Sequence, residues 1–210
     1  MLSCLSAGAL SCGSLSLFGP QDHSPVPLEA SVSETGKPQT GRSVDIAIDY
    51  LARHASGLTE SEIEDVAAAI VRESLRYEFD PNLVLSVIHI ESRGDTFAVS
   101  SAGAMGLMQI MPATGEELAS ELEILWIGPQ TLFHPVPNVR MGIAYLRQLE
   151  VRYGNVTTAL AAYNWGPGRI DARIRRGAAL PARYSGLVLA AYGAHGMREA
   201  EMAIPSAYPY

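Results

Sequence analysis

One carboxylate in this chain is set apart by the residues that precede it. Glu91 closes the run Leu83-Val84-Leu85-Ser86-Val87-Ile88-His89-Ile90. A carboxyl group beside so much apolar surface is poorly hydrated, which favours its neutral form and raises its pKa. Glu91 also falls near the C-terminal end of the helix that Asp80-Pro81 should start, where the peptide dipole pushes in the same direction. A glutamic acid that still holds its proton near neutral pH is what general-acid catalysis requires. A lone glutamate at a helix end is more often a solvated cap, so the neighbouring segments have to decide.

Two segments supply groups that suit a carbohydrate. Ser100-Ser101-Ala102-Gly103-Ala104-Met105-Gly106-Leu107-Met108-Gln109 is small and glycine-rich. Gly103 and Gly106 permit positive φ and close approach of a ligand. Gln109 offers donor and acceptor to an acetamido or hydroxyl group, and Met108 an adaptable apolar wall. Further on, Ala161-Ala162-Tyr163-Asn164-Trp165-Gly166-Pro167-Gly168 sets two rings and an amide before a sharp break. Tyr163 and Trp165 suit stacking on sugar faces. Asp95 lies just past Gly94 and reads as a turn residue, and His89, two positions from Glu91, faces elsewhere on a helix. No set of histidines and acids has metal-ligand spacing, so neither a metal nor another cofactor is expected.

Taken together, Glu91-Ser92, Ser100, Gly103-Ala104-x-Gly106-Leu107-Met108-Gln109-x-Met111-Pro112-x-Thr114, Leu132-Phe133, Pro135, Asn138, Gly142, Tyr145-Leu146 and Ala161-Ala162-Tyr163-Asn164-x-Gly166-Pro167-Gly168 resemble the ordered motifs of Slt-type lytic transglycosylases. That family shares its fold with goose-type lysozyme, and the resemblance spans about residues 75–195. It implies a mainly α, compact lysozyme-like domain with a glycan-binding groove. It also implies cleavage of the β-1,4 bond between N-acetylmuramic acid and N-acetylglucosamine, with a 1,6-anhydromuramoyl end as product. Glu91 matches the sole acid/base. Ser92, Ser100, Gly106, Met108, Gln109, Tyr163, Asn164 and Trp165 fall among the substrate-binding positions, with Tyr163 near the catalytic glutamate and Asn164 holding its turn. The expected partner is the glycan strand, not nucleic acid, and the expected location is the periplasm or cell envelope. A monomer is expected, with an envelope-spanning machine as an associated role. The alternatives are a muramidase- or chitinase-like hydrolase on the same fold and a non-catalytic scaffold of a secretion apparatus. Where the family has Phe-Asp-Pro, this chain has Phe133-His134-Pro135. Where it has Glu-Thr and Tyr-Val pairs, this chain has Arg183-Tyr184 and Leu187-Val188.

The elements that must position these groups are helical. Val44, Ile48, Leu51 and Ala55 form one stripe; Ile63, Val66, Ala67 and Ile70 form another, begun by a Thr59–Glu62 capping box. Met141, Tyr145, Leu146 and Leu149 make a third. Asn155 can cap a helix through Tyr163, and Leu187, Ala190, Ala191 and Ala194 make a last stripe. Residues 43–198 therefore read as the domain and 199–210 as a C-terminal tail. Residues 19–42, rich in proline, glycine, serine and threonine, read as a flexible linker. Residues 1–18 lack charged side chains and read as a signal or anchor segment, with Cys12 as a candidate lipidation site and a route to the membrane.

Composition agrees with a folded domain. Of 210 residues, 48% are hydrophobic and 18% charged, enough apolar material for a core. The net charge of −7 disfavours a nucleic-acid backbone as main partner. Both cysteines, Cys4 and Cys12, precede the domain, so no disulfide staples it. Charge is uneven: residues 43–120 hold thirteen acids and four bases, whereas residues 166–195 hold one acid and five arginines. Those arginines form either a solvated face or a patch for an anionic ligand.

Overall fold

The computed structural model describes residues 36–193, with side chains from Thr40 onward. The readings of residues 1–18, of 19–35 and of the tail 199–210 lie outside the described residues, as does Ala194. Eight α-helices follow in order: α1 (Gly36–His54), α2 (Glu60–Arg76), α3 (Pro81–Ser92), α4 (Pro112–Glu121), α5 (Pro135–Tyr153), α6 (Val156–Trp165), α7 (Pro167–Arg175) and α8 (Arg183–Gly193). A 3-10 turn, Pro129–Phe133, precedes α5. Strand structure among the described residues is limited to isolated antiparallel bridges of Met105 with Val99 and Ile110. No described helix is long and apolar enough to cross a membrane.

One boundary differs from the sequence reading: α1 begins at Gly36, so residues 36–42 of the expected linker are helical. Pro38 is no obstacle, because backbone N–H groups of a first turn have no intrahelical acceptor. Ala47, Tyr50 and Leu51, all fully buried, draw this helix on to the core. The caps fall where the sequence puts them. The Thr59 side chain accepts from Glu62 N–H, and the Glu62 carboxylate accepts from Thr59 N–H, at the start of α2. Each such cap is worth about 1 kcal/mol. Asp80 caps α3 with Pro81 at its first position, and Asn155 caps α6, which runs to Trp165.

α3 is the central element. Every residue from Leu83 to Ile90 is buried, against α1, α2 and α8. Its apolar circumference explains this, since a helix that is hydrophobic all round has no face for water. α5 packs on α2, α4 and α6, and its buried Met141, Leu146 and Leu149 follow the expected stripe. On α8 the buried residues are Tyr184, Ser185, Val188 and Ala191, whereas Ala190 is exposed and Leu187 half-buried. This corrects the expected register. Alanines carry too little apolar surface to orient a helix, so Tyr184 and Val188 decide which face turns inward.

Between α3 and α4 the chain folds back over the end of α3. Arg93 and Gly94 end that helix at positive φ of 56° and 87°. The loop is then locked by Asn138 of α5, which is fully buried. Its Oδ1 accepts from Met108 N–H at 2.8 Å, and its Nδ2 donates to the carbonyls of Met105 and Leu132, each at 2.9 Å. A buried amide with all three bonds made holds a loop without regular structure in one conformation.

Candidate active site

The loop, the end of α3 and the end of α6 enclose a cavity of about 250 Å³ lined by Glu91, Ser100, Gln109, Met111, Tyr163 and Asn164, among others. A larger neighbouring cavity of about 580 Å³ shares Gln109, Met111, Tyr163 and Asn164 and adds Tyr145, Trp165 and Arg169. The shared walls make the two cavities one groove. Glu91 is the only carboxylate among the described residues lining either part.

Glu91 is half-buried, and desolvation pushes its pKa up to about 7, against the opposing effect of a hydrogen bond from Tyr184. The cause is the apolar helix that delivers it, as its neighbours in sequence imply. The Tyr184 hydroxyl donates to Glu91 Oε1 at 2.5 Å, and Tyr184 is itself 2% exposed. This bond fixes the carboxyl group. Tyr184 was not among the residues the sequence nominated. It entered only as a departure from the family pattern, and nothing local shows that α8 lies along α3.

The remaining nominated residues divide. Ser100 lines the cavity; its Oγ accepts from Ala104 N–H at 3.0 Å, which leaves its proton to donate. Gln109 lines both parts of the groove at φ 49°, and its Nε2 donates to the carbonyls of Ala98 and Gly106. That orients its amide, while Oε1 is buried and has no hydrogen-bond partner among the described residues. Tyr163 lies in the wall shared by both cavities, its hydroxyl donating to Met108 O at 2.8 Å and its ring 5.3 Å from that of Tyr145. Its pKa is raised well above the usual tyrosine value by burial first, and then by the charge of nearby Glu91. Trp165 is exposed in the larger cavity. Asn164 is an exposed wall residue whose side chain makes no hydrogen bond among the described residues, so it does not hold the turn.

Three nominated residues serve the protein rather than a ligand. Ser92 is buried, donating to Leu107 O at 2.8 Å and accepting from Gly94 N–H, so it ties α3 to the loop. Met108 is fully buried, and a Cβ on Gly142 of α5 would stand 2.4 Å from its sulfur. Its carbonyl, not its side chain, reaches the site through Tyr163, and Met111 supplies the apolar wall instead. Gly106 has φ 78°, and the close approach it permits is to Leu132 O, 2.2 Å from an added Cβ, and to Asn138. His89 is buried and contacts the Tyr50 hydroxyl, and Asp95 accepts from Phe97 N–H in its turn. Both agree with the roles expected.

The site is a desolvated glutamic acid lining an open groove in a helical fold, an arrangement suited to a general acid. The sequence profile of the transglycosylase SLT domain family matches residues 68–185, more than half of the chain, and the chain belongs to that family. Among its relatives, a transglycosylase of Enterobacteria phage PRD1 is 41% identical over 98 residues, covering 47% of this chain and 34% of the phage protein. A soluble lytic murein transglycosylase assigned in Haemophilus influenzae is 36% identical over 93 residues, covering 44% of this chain and 16% of that protein. The chain thus spans about a third or less of these relatives' lengths. The 70 kDa soluble lytic transglycosylase of Escherichia coli aligns with a TM-score of 0.53 over 76% of this chain and 31% of its own, at 21% identity. That likeness establishes the mainly α, lysozyme-like fold.

Proposed function

We propose that this domain is a peptidoglycan lytic transglycosylase of the bacterial envelope, with Glu91 as its single acid and base. The observation that carries the reading is a carboxyl group raised to about 7 and standing alone among carboxylates in the described groove. Glycosidases that use water generally pair two carboxylates across the bond. Here one group does both proton transfers. Glu91 protonates the oxygen leaving N-acetylmuramic acid, and the substrate's own acetamido group stabilises the developing positive charge. The carboxylate left behind is the state that the Tyr184 hydroxyl favours. It then takes the proton from the C6 hydroxyl of the same sugar, which closes the 1,6-anhydro ring. Because that hydroxyl is tethered to the reacting centre, no water needs activation. Ser100 contacts the glycan beside the Gln109 wall, and the murein named in relatives is the substrate this reading brings to the chain.

Product analysis decides. Purified wall treated with the protein should release anhydro-ended fragments by mass spectrometry, and Glu91→Gln should release them far more slowly while remaining folded. Reducing ends carrying added water would instead assign a hydrolase. Binding without any bond cleavage would assign a scaffold.

A further inference from the structure

The groove does not end at its aromatic wall. Trp165 and Arg169 line the larger cavity, and Arg173, one turn further along α7, has its guanidinium carbon 5.2 Å from the Trp165 ring centroid. Arg173 Nη1 also donates to Ala179 O at 2.7 Å, so this guanidinium is held by a ring and a carbonyl. Arg169 and Arg173 share one face of α7, and Arg176 follows at its C-terminal end. Arg169, Arg173 and Arg176 form no ion pair among the described residues. By contrast Arg53, Arg72, Arg76, Arg147 and Arg152 each reach a carboxylate. The one acid on α7, Asp171, is committed to Arg152 at 2.5 Å and to the Tyr153 hydroxyl at 2.9 Å. Glu117 of α4 is exposed and lines neither cavity, and its effect on Tyr145 is smaller than the opposing effect of Arg152. Arg169 in the groove wall and Arg173 against Trp165 thus stand at the groove with no ion pair among the described residues.

We propose that this arginine face of α7 is a docking strip for an anionic peptide attached to the glycan, reading the carboxylates of the stem that peptidoglycan carries on its muramic acid sugars. The assignment rests on the proposed substrate and extends it to a part of that substrate the catalytic cavity does not touch. A guanidinium presents paired N–H donors that match a carboxylate bidentately, and stacking on an indole leaves those in-plane donors directed outward. From Arg169 to Arg176 this face is about 10 Å long. An extended peptide of about three residues covers the same span.

The test uses wall strands in two forms: native, and with the stem carboxylates converted to amides. Wild type should show a KM about three- to tenfold lower on native strands, with kcat unchanged, a gap that shrinks as salt rises. Arg169→Ala combined with Arg173→Ala should raise KM on native strands to the amidated value. Arg175→Ala, off this face, should leave the gap intact. Co-sedimentation of Glu91→Gln protein with native and amidated wall gives the same comparison without turnover. Equal preference for native strands in wild type and in the double variant would overturn the strip. Absence of cleavage by wild type would sink the functional proposal alone, since sedimentation would still report on the strip.

Discussion

Helices α3 and α8 are tied at both ends by the same chemical contact, a tyrosine hydroxyl donating to a carboxylate. Tyr184 reaches Glu91 at 2.5 Å and Tyr192 reaches Asp80 at 2.9 Å, so the helices run antiparallel. The outcomes differ. At the outer end the pair is exposed, and its hydrogen bond is the main cause that raises the Tyr192 pKa. At the inner end burial is the main cause, and it pushes the carboxyl group up to about 7 although the hydrogen bond works against it. The same pair is a helix tie in water and a proton store in a groove; the surroundings decide which.

The comparison can be broken most severely at Glu91. Glu91→Gln should lower the cleavage rate by about 10²- to 10⁴-fold, measured on purified wall, because the transferable proton is gone. Retention of most activity would remove Glu91 from the mechanism. Tyr184→Phe should have the next largest effect. Removing a bond that favours the ionised form raises the Glu91 pKa further, so the alkaline limb of the pH–rate profile should move up by about one unit. An alkaline limb that stays in place would mean Tyr184 only fills space. The rate at the optimum should also fall, because Oε1 loses its anchor.

The third effect is on stability. The folded state holds the Glu91 proton to about 7 whereas an unperturbed glutamate loses it near 4.5, so unfolding releases a proton between those values. Stability from this group is therefore fully present below about 4.5 and is lost as pH rises through about 7. Glu91→Gln should remove the liability, raising stability by about 1–3 kcal/mol at pH 8 and by little at pH 4, as read from denaturant midpoints. A gain independent of pH would contradict this linkage. The smallest effect belongs to the outer end. Tyr192→Phe should cost about 0.5–1 kcal/mol and leave the pH–rate profile where it was. A shifted profile would mean the two ends communicate through α8.

Local features were legible wherever they rest on neighbours in sequence. The Thr59 and Asp80 caps and the full burial of Leu83–Ile90 were readable because caps and periodic stripes involve residues a few positions apart. Glu91 was readable for the same reason: the apolar run that desolvates it lies directly before it. Met108 and Gly106 were assigned to a ligand because small and adaptable residues in a glycine-rich loop suit either a ligand or a tight internal turn, and Ser92 because it follows Glu91 in the family motif. Only the tertiary contacts with Leu107, Gly142 and Asn138 distinguish the two.

What this sequence determined by itself was a helical domain built round one apolar segment, and the acid that segment leaves short of water. Tertiary structure alone decided which tyrosine holds that acid and which loop residues face the groove. The hydrogen bond to Glu91 spans 93 positions and the bond from Tyr163 to the loop spans 55. Propensity and periodicity act within a few turns of chain, whereas contacts at such separations exist only after helices have chosen their neighbours.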